Sequence, residues 1–386
     1  MSQDQNINDS VVNKKLLAIR DRIDAIDDEM LALLSKRAQC AEEVGEIKRE
    51  SGETDLWFYR PEREAQILRR VSENNKGPLA NERITAIFRE VISSCLALEQ
   101  SIRVAFLGPE GSFTQEAANK HFGQAVEPVP VGSIGQVFRE VENGKVDYGV
   151  VPIENSTEGV ISYTLDRFMN SPLKISGETA LRIHQNLMVP PDLAKQDWKK
   201  ITRVYSHQQS LAQCRQWLDL HLPHAERVAV SSNTEAAKRA LQDATLDNGD
   251  TYEGGFSAAI AGIKAAEVYD LVVVQQHIED SDKNTTRFLV IGKQDVPPSG
   301  NDQTTLMIST KNRSGALYHL LTPLVENGLD MTRIESRPSQ NANWEYFFFM
   351  DVNGHQQDNN LAKALKKLEQ EAELVRVLGS YPKAIL

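Results

Sequence analysis

The chain has 386 residues with 54 Asp and Glu against 43 Lys and Arg, a net charge of -11 at pH 7. That sign disfavours broad contact with a nucleic-acid backbone or an anionic membrane surface, although a local group of Arg and Lys can still hold a small anion at short range. Hydrophobic residues are 40% and charged residues 25% of the chain, an ordinary globular composition whose length implies roughly two to four domains.

The opening "MSQDQNINDSVVNKK" is polar and reads as a disordered tail over residues 1–12, without the apolar core of a signal peptide. No apolar run reaches membrane-spanning length. Cys40, Cys95 and Cys214 lack CxxC spacing, which fits a reducing cytoplasm with neither a disulfide framework nor a structural zinc.

From Leu16 to Glu50 the only Gly or Pro is Gly45, and Leu16, Ile19, Ile23, Ile26, Met30, Leu33, Leu34, Ala41, Val44 and Ile47 recur at helical spacing. One helix of that length measures about 50 Å, longer than a small domain is wide, and must pack on something outside itself, most simply a copy of itself. Helical patterns follow at 61–75, with Pro61 suited to a first turn, and at 79–101. Residues 13–101 therefore form an all-α unit expected to pair.

On the long helix Arg37 and Lys48 share a face. Arg20 lies about 26 Å away along the axis and cannot reach the same metabolite within one subunit. An antiparallel partner helix would bring it to the other subunit's site. The stretch "YRPEREAQIL" adds Arg60, Arg63 and Glu64. A solvated charged face accounts for any one of these residues taken alone.

At Arg103 the texture changes to short apolar runs alternating with helical patterns, which predicts a mostly parallel sheet in a doubly wound α/β fold. Ser112 with Gln115, Ser133 with Gln136, Ser206 with Gln209 and Ser232 with Glu235 read as capping boxes. Helices that follow parallel strands gather their N-termini at one sheet edge, where free N–H groups attract an anion. The run "DKNTTRFLVIG" places Thr285, Thr286 and Arg287 at the mouth of a strand. Alternation sets Thr286 and Phe288 on one side and Thr285 and Arg287 on the other, so Thr286 and Arg287 share a pocket only if the backbone is irregular. After the linker "DVPPSGNDQ", the order strand, helix, strand, strand, helix, strand is a ferredoxin-like βαββαβ unit.

The stretches "LLAIRDRIDAIDDEMLALLSKRAQCAEEVGEIK" and "YRPEREAQIL" resemble the all-helical chorismate mutases. "GPEGSFTQEAA", "PIENSTEG", "VYSHQQSLAQC" and "NTTRF" resemble prephenate dehydratase, and "GALY" with "ESRP" resembles the phenylalanine-sensing ACT domain. The resemblance runs over nearly the whole chain, in the order of the bifunctional enzymes of phenylalanine biosynthesis. It implies a helical mutase domain over 13–101, a two-lobed, periplasmic-binding-protein-like dehydratase domain over 103–293, and an ACT regulatory domain over 303–382. The implied substrates are chorismate and prephenate, the effector is phenylalanine, the assembly is a homodimer or higher homo-oligomer in the cytoplasm, and no metal or other cofactor is needed.

By the same resemblance, Arg37 and the partner's copy of Arg20 hold chorismate's carboxylates, Lys48 faces the ether oxygen, Glu64 binds the hydroxyl, and Arg60 and Arg63 support the charge. Cys95 and Glu99 stand where one familiar version of the family has Ser and Gln. A carboxylate beside a developing oxyanion repels it, so Glu99 is expected to act protonated. In the dehydratase, Thr286 is the implied donor to the leaving hydroxyl, Arg287 the carboxylate ligand and Phe288 a wall, with Asn155, Ser156, Ser206, His207 and Gln209 forming the polar network. Gly315, Ala316 and Leu317 with Glu335, Ser336 and Arg337 are the implied phenylalanine contacts between paired ACT domains. Two other classes compete: a non-catalytic amino-acid sensor with a helical dimerisation segment, which leaves the recurrence of Arg37, Lys48, Arg63 and Glu64 unexplained, and an NAD-dependent enzyme, whose GxGxxG mark "GPEGSF" does not match.

Overall fold

The computed structural model describes residues 2–51, 57–246, 255–310, 314–338 and 346–384. The first unit is three helices, α1 (Ser2–Glu50), α2 (Pro61–Asn74) and α3 (Asn81–Glu99). Helix α1 takes in residues read from sequence as a disordered tail; with no Gly or Pro before Gly45, an established helix propagates back through polar residues. Its C-terminal part packs on α3, and Gly45 permits the close approach, since a Cβ there would stand 3.2 Å from the Glu99 backbone. Every side chain from Val12 to Lys36 is exposed, including Leu31 at 65%.

The second unit has two lobes. The first holds β1 (Arg103–Leu107), α4 (Phe113–Phe122), β2 (Glu127–Val131), α5 (Ile134–Glu142), β3 (Tyr148–Asn155), β4 (Gly159–Val160), α6 (Ser162–Asn170) and β5 (Lys174–Arg182). The chain then crosses to β6 (Asn186–Val189), β7 (Ile201–His207), α7 (Gln208–Gln213), α8 (Arg215–His221), β8 (Glu226–Val230), α9 (Asn233–Leu246), β9 (Phe256–Ala261), α10 (Ile263–Tyr269) and β10 (Val272–Gln275), and returns as β11 (Thr285–Gly292). Sheet orders are β2-β1-β3-β11-β5 and β10-β6-β9-β7-β8.

Each sheet is mixed rather than mostly parallel. Strand β11 enters the first lobe from the cleft side, so it runs antiparallel to β3 and β5. The two crossing segments are tied together: Glu279 accepts from the Gln185 backbone N–H at 2.9 Å and pairs with His184 Nδ1 at 2.7 Å, and the His184 and His277 rings stack at 4.0 Å.

Ser112, Ser133 and Ser232 each accept a backbone N–H three residues on, as their capping boxes predict. Ser206 does not. It is the buried penultimate residue of β7 and donates to the Ile260 carbonyl at 2.8 Å, while His207 caps α7.

The third unit, β12 (Asp302–Thr310), α11 (Ala316–Glu326), β13 (Met331–Pro338), β14 (Tyr346–Asn353), α12 (Asn359–Glu371) and β15 (Leu374–Pro382), is the expected βαββαβ fold in the order β13-β14-β12-β15. The run "WEYFFFMDV", a strand pattern in the sequence, opens with Trp344 and Glu345, which lie outside the described residues. Helices α11 and α12 cover one sheet face through Leu320, Leu324, Leu361 and Leu368. Met307, Phe349, Leu378 and Tyr381 on the opposite face join the core of the first lobe. Among the described residues no helix is long and apolar enough to cross a membrane.

Candidate active sites

A cleft of about 850 Å³ between α1, α2 and α3 gathers Arg37, Lys48, Arg60, Arg63, Glu64, Cys95 and Glu99. Arg37 is steadied by the Val91 carbonyl at 3.2 Å, and Lys48 donates to the Phe58 carbonyl at 3.3 Å. Arg60 pairs with buried Glu62 at 2.6 Å. Glu99, expected to act as a neutral acid, instead makes an ion pair with Lys48 at 3.0 Å. The α1–α3 contact that Gly45 permits brings the two ends together. The unusual carboxyl is Glu64: burial pushes it up to about 7, with the Arg89 guanidinium at 3.5 Å acting in the opposite direction. Arg20 lies outside this cleft, on the exposed part of α1.

A second cleft, of about 320 Å³, opens between the two lobes and is lined by Asn155, His207, Gln209, Thr286 and Phe288. The Asn155 side-chain oxygen accepts from the Thr157 and Glu158 backbone N–H groups at 3.0 and 3.1 Å, which turns its NH2 toward Thr286 Oγ1 (2.8 Å) and Asn284 Oδ1 (2.9 Å). Thr286 Oγ1 thus accepts from Asn155, and its own proton is left to donate into the cleft. The N-termini of α4 and α9 border the same space through Ser112, Phe113, Ser232 and Asn233. None of the described lining residues is Arg or Lys.

Three expected members lie elsewhere. Ser206 is buried in β7. Ser156 accepts from the Thr285 N–H at 2.9 Å and donates to the Lys283 carbonyl at 3.0 Å, pinning the return crossing without lining the cleft. Arg287 points to the opposite side of β11, pairing with Glu178 at 2.9 Å and with Asp351 of the third unit at 3.0 Å. The ladder with β3 is irregular only after Arg287, between it and Phe288, too late to turn Arg287 into the cleft. Asn284, Gln185 and Asn233 also line the cleft, and sequence reasoning passed over them. Asn284 directly precedes the Thr pair and was the one with a local signal.

In the third unit Gly315 caps α11 with φ 78, a conformation open to glycine, and leads into Ala316 and Leu317. Thr310 pairs with Tyr346 and Tyr346 with Pro338, so Gly315 and the Glu335–Arg337 strand end lie at one end of the sheet. The three residues Glu335, Ser336 and Arg337 do not share a face: burial alternates along β13, and Arg337 reaches back to Asp166 on α6 through two bonds of 2.9 and 3.0 Å.

Family models match over most of the chain: chorismate mutase type II at residues 19–100, prephenate dehydratase at 104–296 and ACT domain at 304–370. A bifunctional chorismate mutase/prephenate dehydratase of Pseudomonas aeruginosa is 52% identical over 375 residues, covering 96% of this chain and 99% of that protein. The protein of that name from Escherichia coli K12 is 32% identical, with 95% and 96% covered. Among solved structures, a prephenate dehydratase from Arthrobacter aurescens in complex with L-Phe aligns with a TM-score of 0.63 at 32% identity, over 73% of this chain and 90% of that one. A prephenate dehydratase from Staphylococcus aureus aligns with a TM-score of 0.62 at 25% identity, over 72% and 100%.

Proposed function

The chain belongs to the bifunctional chorismate mutase/prephenate dehydratases, with an ACT domain at its C-terminal end, and from that premise we infer how its residues divide the two reactions. The helical cleft rearranges chorismate to prephenate. An intramolecular Claisen rearrangement needs no nucleophile, only a compact pose and positive charge where the breaking ether oxygen gains electron density. Arg37 holds a carboxylate, Lys48 faces the ether oxygen with Glu99 fixing its ammonium, and Glu64 binds the hydroxyl. Arg60 and Arg63 raise the local positive potential.

The interlobe cleft converts prephenate to phenylpyruvate. The bond to the ring carboxylate breaks, its electron pair enters the ring, and the hydroxyl leaves as water with a proton from Thr286. Asn155 accepts nothing from Thr286 and donates to it at 2.8 Å, and this arrangement carries the reading. With no Arg or Lys among the described lining residues, the substrate carboxylates fall to the N-termini of α4 and α9 and to His207 and Gln209.

We further propose domain limits of 13–101, 103–293 and 303–382, a cytoplasmic location consistent with free Cys40, Cys95 and Cys214, and a homodimer built on α1 that carries Arg20 to the partner's cleft. Phenylalanine is the effector, held by Gly315, Ala316 and Leu317 with Glu335 at the end of β13; support comes from the Arthrobacter aurescens relative, whose structure is a complex with L-Phe. The test is phenylpyruvate formation from chorismate and from prephenate. Wild type converts both; Thr286→Ala accumulates prephenate from chorismate, with dehydratase turnover down about 10²-fold or more. Unchanged turnover in Thr286→Ala would remove Thr286 from the reaction.

A further inference from the structure

Arg287 is next to Thr286 in sequence and back to back with it in β11, and the same holds for Glu154 and Asn155 in β3. The ladder pairs Thr286 with Asn155 and Arg287 with Glu154. The pair on the cleft side is the hydrogen bond that leaves Thr286 its proton to give. The pair on the far side is an ion contact of 3.5 Å, and it belongs to a cluster that spans two domains. Arg287 also meets Glu178 on β5 at 2.9 Å and Asp351 on β14 at 3.0 Å. Arg333 on β13 approaches Glu154 at 3.4 Å and Asp351 at 3.9 Å.

This cluster is not fully matched. Nε and Nη2 of Arg333 are buried and make no hydrogen bond among the described residues, although two carboxylates lie within reach. A buried guanidinium left without bonds is costly. Arg287 and Arg333 face the same two oxygens, Oε2 of Glu154 and Oδ2 of Asp351, so two arrangements of the same charges compete. The β3–β11 ladder is softest at this place, since its register shifts between Arg287 and Phe288. On the other side, β13 continues from Arg333 to Glu335 on the same face and to Arg337, which is clamped to Asp166.

We propose that Arg287 and Glu154 are positioning residues for the dehydration, and that Arg333 and Asp351 make them the contact through which ACT-domain occupancy reaches Thr286 and Asn155. The inference rests on the reading of Thr286 as the proton donor and of β13 as part of the effector site. When β13 shifts on binding phenylalanine, Arg333 closes on Glu154, Arg287 is left to Glu178 and Asp351, and the far-side pair that aligns Thr286 with Asn155 opens. Effector and active site are then coupled through a two-state charge arrangement rather than through a shared pocket.

The experiment uses the full chain with prephenate as substrate and phenylalanine as effector. Arg333→Met removes the charge while keeping an unbranched side chain. It should bind phenylalanine by calorimetry as wild type does and retain mutase turnover, yet lose inhibition by phenylalanine about tenfold or more. Arg287→Met should lower dehydratase kcat by about tenfold or more with KM nearly unchanged, because it misplaces Thr286 without touching substrate. Arg333→Met inhibited along the wild-type curve, or unable to bind phenylalanine, overturns the coupling. Arg287→Met with raised KM and unchanged kcat overturns the positioning role and restores Arg287 as a substrate ligand. Thr286→Ala is run alongside: if it turns over normally, the donor reading fails, while the inhibition curve of Arg333→Met still decides the coupling.

Discussion

Glu64 occupies an environment that works against its charge. Burial raises its carboxyl from 4.5 to about 7 even with Arg89 beside it, so near neutral pH the group sits between its two forms. A folded-state value above the unfolded one means that this group's stabilising contribution is fully present below about pH 4.5 and is lost as pH rises through about 7. Glu64→Gln removes that dependence: between pH 5 and 8 wild type should lose about 1–3 kcal/mol relative to the variant, read by urea unfolding. Mutase kcat/KM should titrate near pH 7 in wild type and run flat in Glu64→Gln; a titration that survives the substitution would assign it to another group. Burial of this kind depends on the packing of α2 against α3 and on Arg89, so no local pattern announces it. Thr286, Asn155, His207 and Gln209 were legible because each sits near a strand end or helix start that short motifs encode, and Phe288 because it follows Thr286 by two residues on the same side of β11. The direction of Arg287 was legible only as a conflict with strand alternation. Its carboxylate partners lie on β5 and on a strand of another domain, 64 residues away in the case of Asp351.

Helix α1 was readable from sequence from Leu16 to Glu50, since its spacing, with Gly45 the only Gly or Pro, needs no tertiary context, while its first turns were read as a tail. Its apolar stripe was also legible as unfinished: Leu16, Ile19, Ile23, Ile26 and Met30 are 47–54% exposed in the single chain. Exposed side chains of that size in a row call for a partner surface. Ile23→Glu, which places a charge in the stripe without altering helix propensity strongly, should therefore leave a monomer by sedimentation. Its mutase kcat/KM should fall about tenfold or more as Arg20 is withdrawn from the partner's cleft, while dehydratase turnover is retained. A variant that stays dimeric with full mutase activity would refute pairing through this face. The capping boxes carry a different lesson. Ser112, Ser133 and Ser232 cap as their spacing predicts, but the Ser206 spacing arises by chance inside a strand that runs on for one more residue. A four-residue motif cannot tell those cases apart, because the strand's end is set by its pairing with β8 and β9.

The chain is held as one body by contacts that no single domain pattern encodes, and Tyr59 carries the mutase side of that seam. Its ring is 3% exposed, and it packs against Phe122 at 5.1 Å and Tyr148 at 5.4 Å, both from the first lobe of the dehydratase. Its hydroxyl meets His121 Nε2 at 2.9 Å. Burial drives His121 down to about 3, so the imidazole is neutral near pH 7 and Nε2 can accept the tyrosine proton, while a backbone hydrogen bond joins the same ring to Glu178. Glu178 in turn holds Arg287 and the Ala384 backbone N–H, so the mutase, the dehydratase and the C-terminal segment meet within one run of bonds. Tyr59→Phe keeps the packing and leaves His121 without a donor, a loss of about 1–2 kcal/mol. Tyr59→Ala also empties the aromatic pocket, at about 3–5 kcal/mol. In calorimetry the alanine variant should separate an earlier unfolding of the helical domain from that of the remainder, and lower mutase kcat/KM, because Tyr59 and Glu64 line one cleft. Dehydratase turnover should change far less, since Tyr59 does not line the cleft that holds Thr286 and Asn155. If Tyr59→Ala melts in step with wild type, the seam contributes nothing to stability.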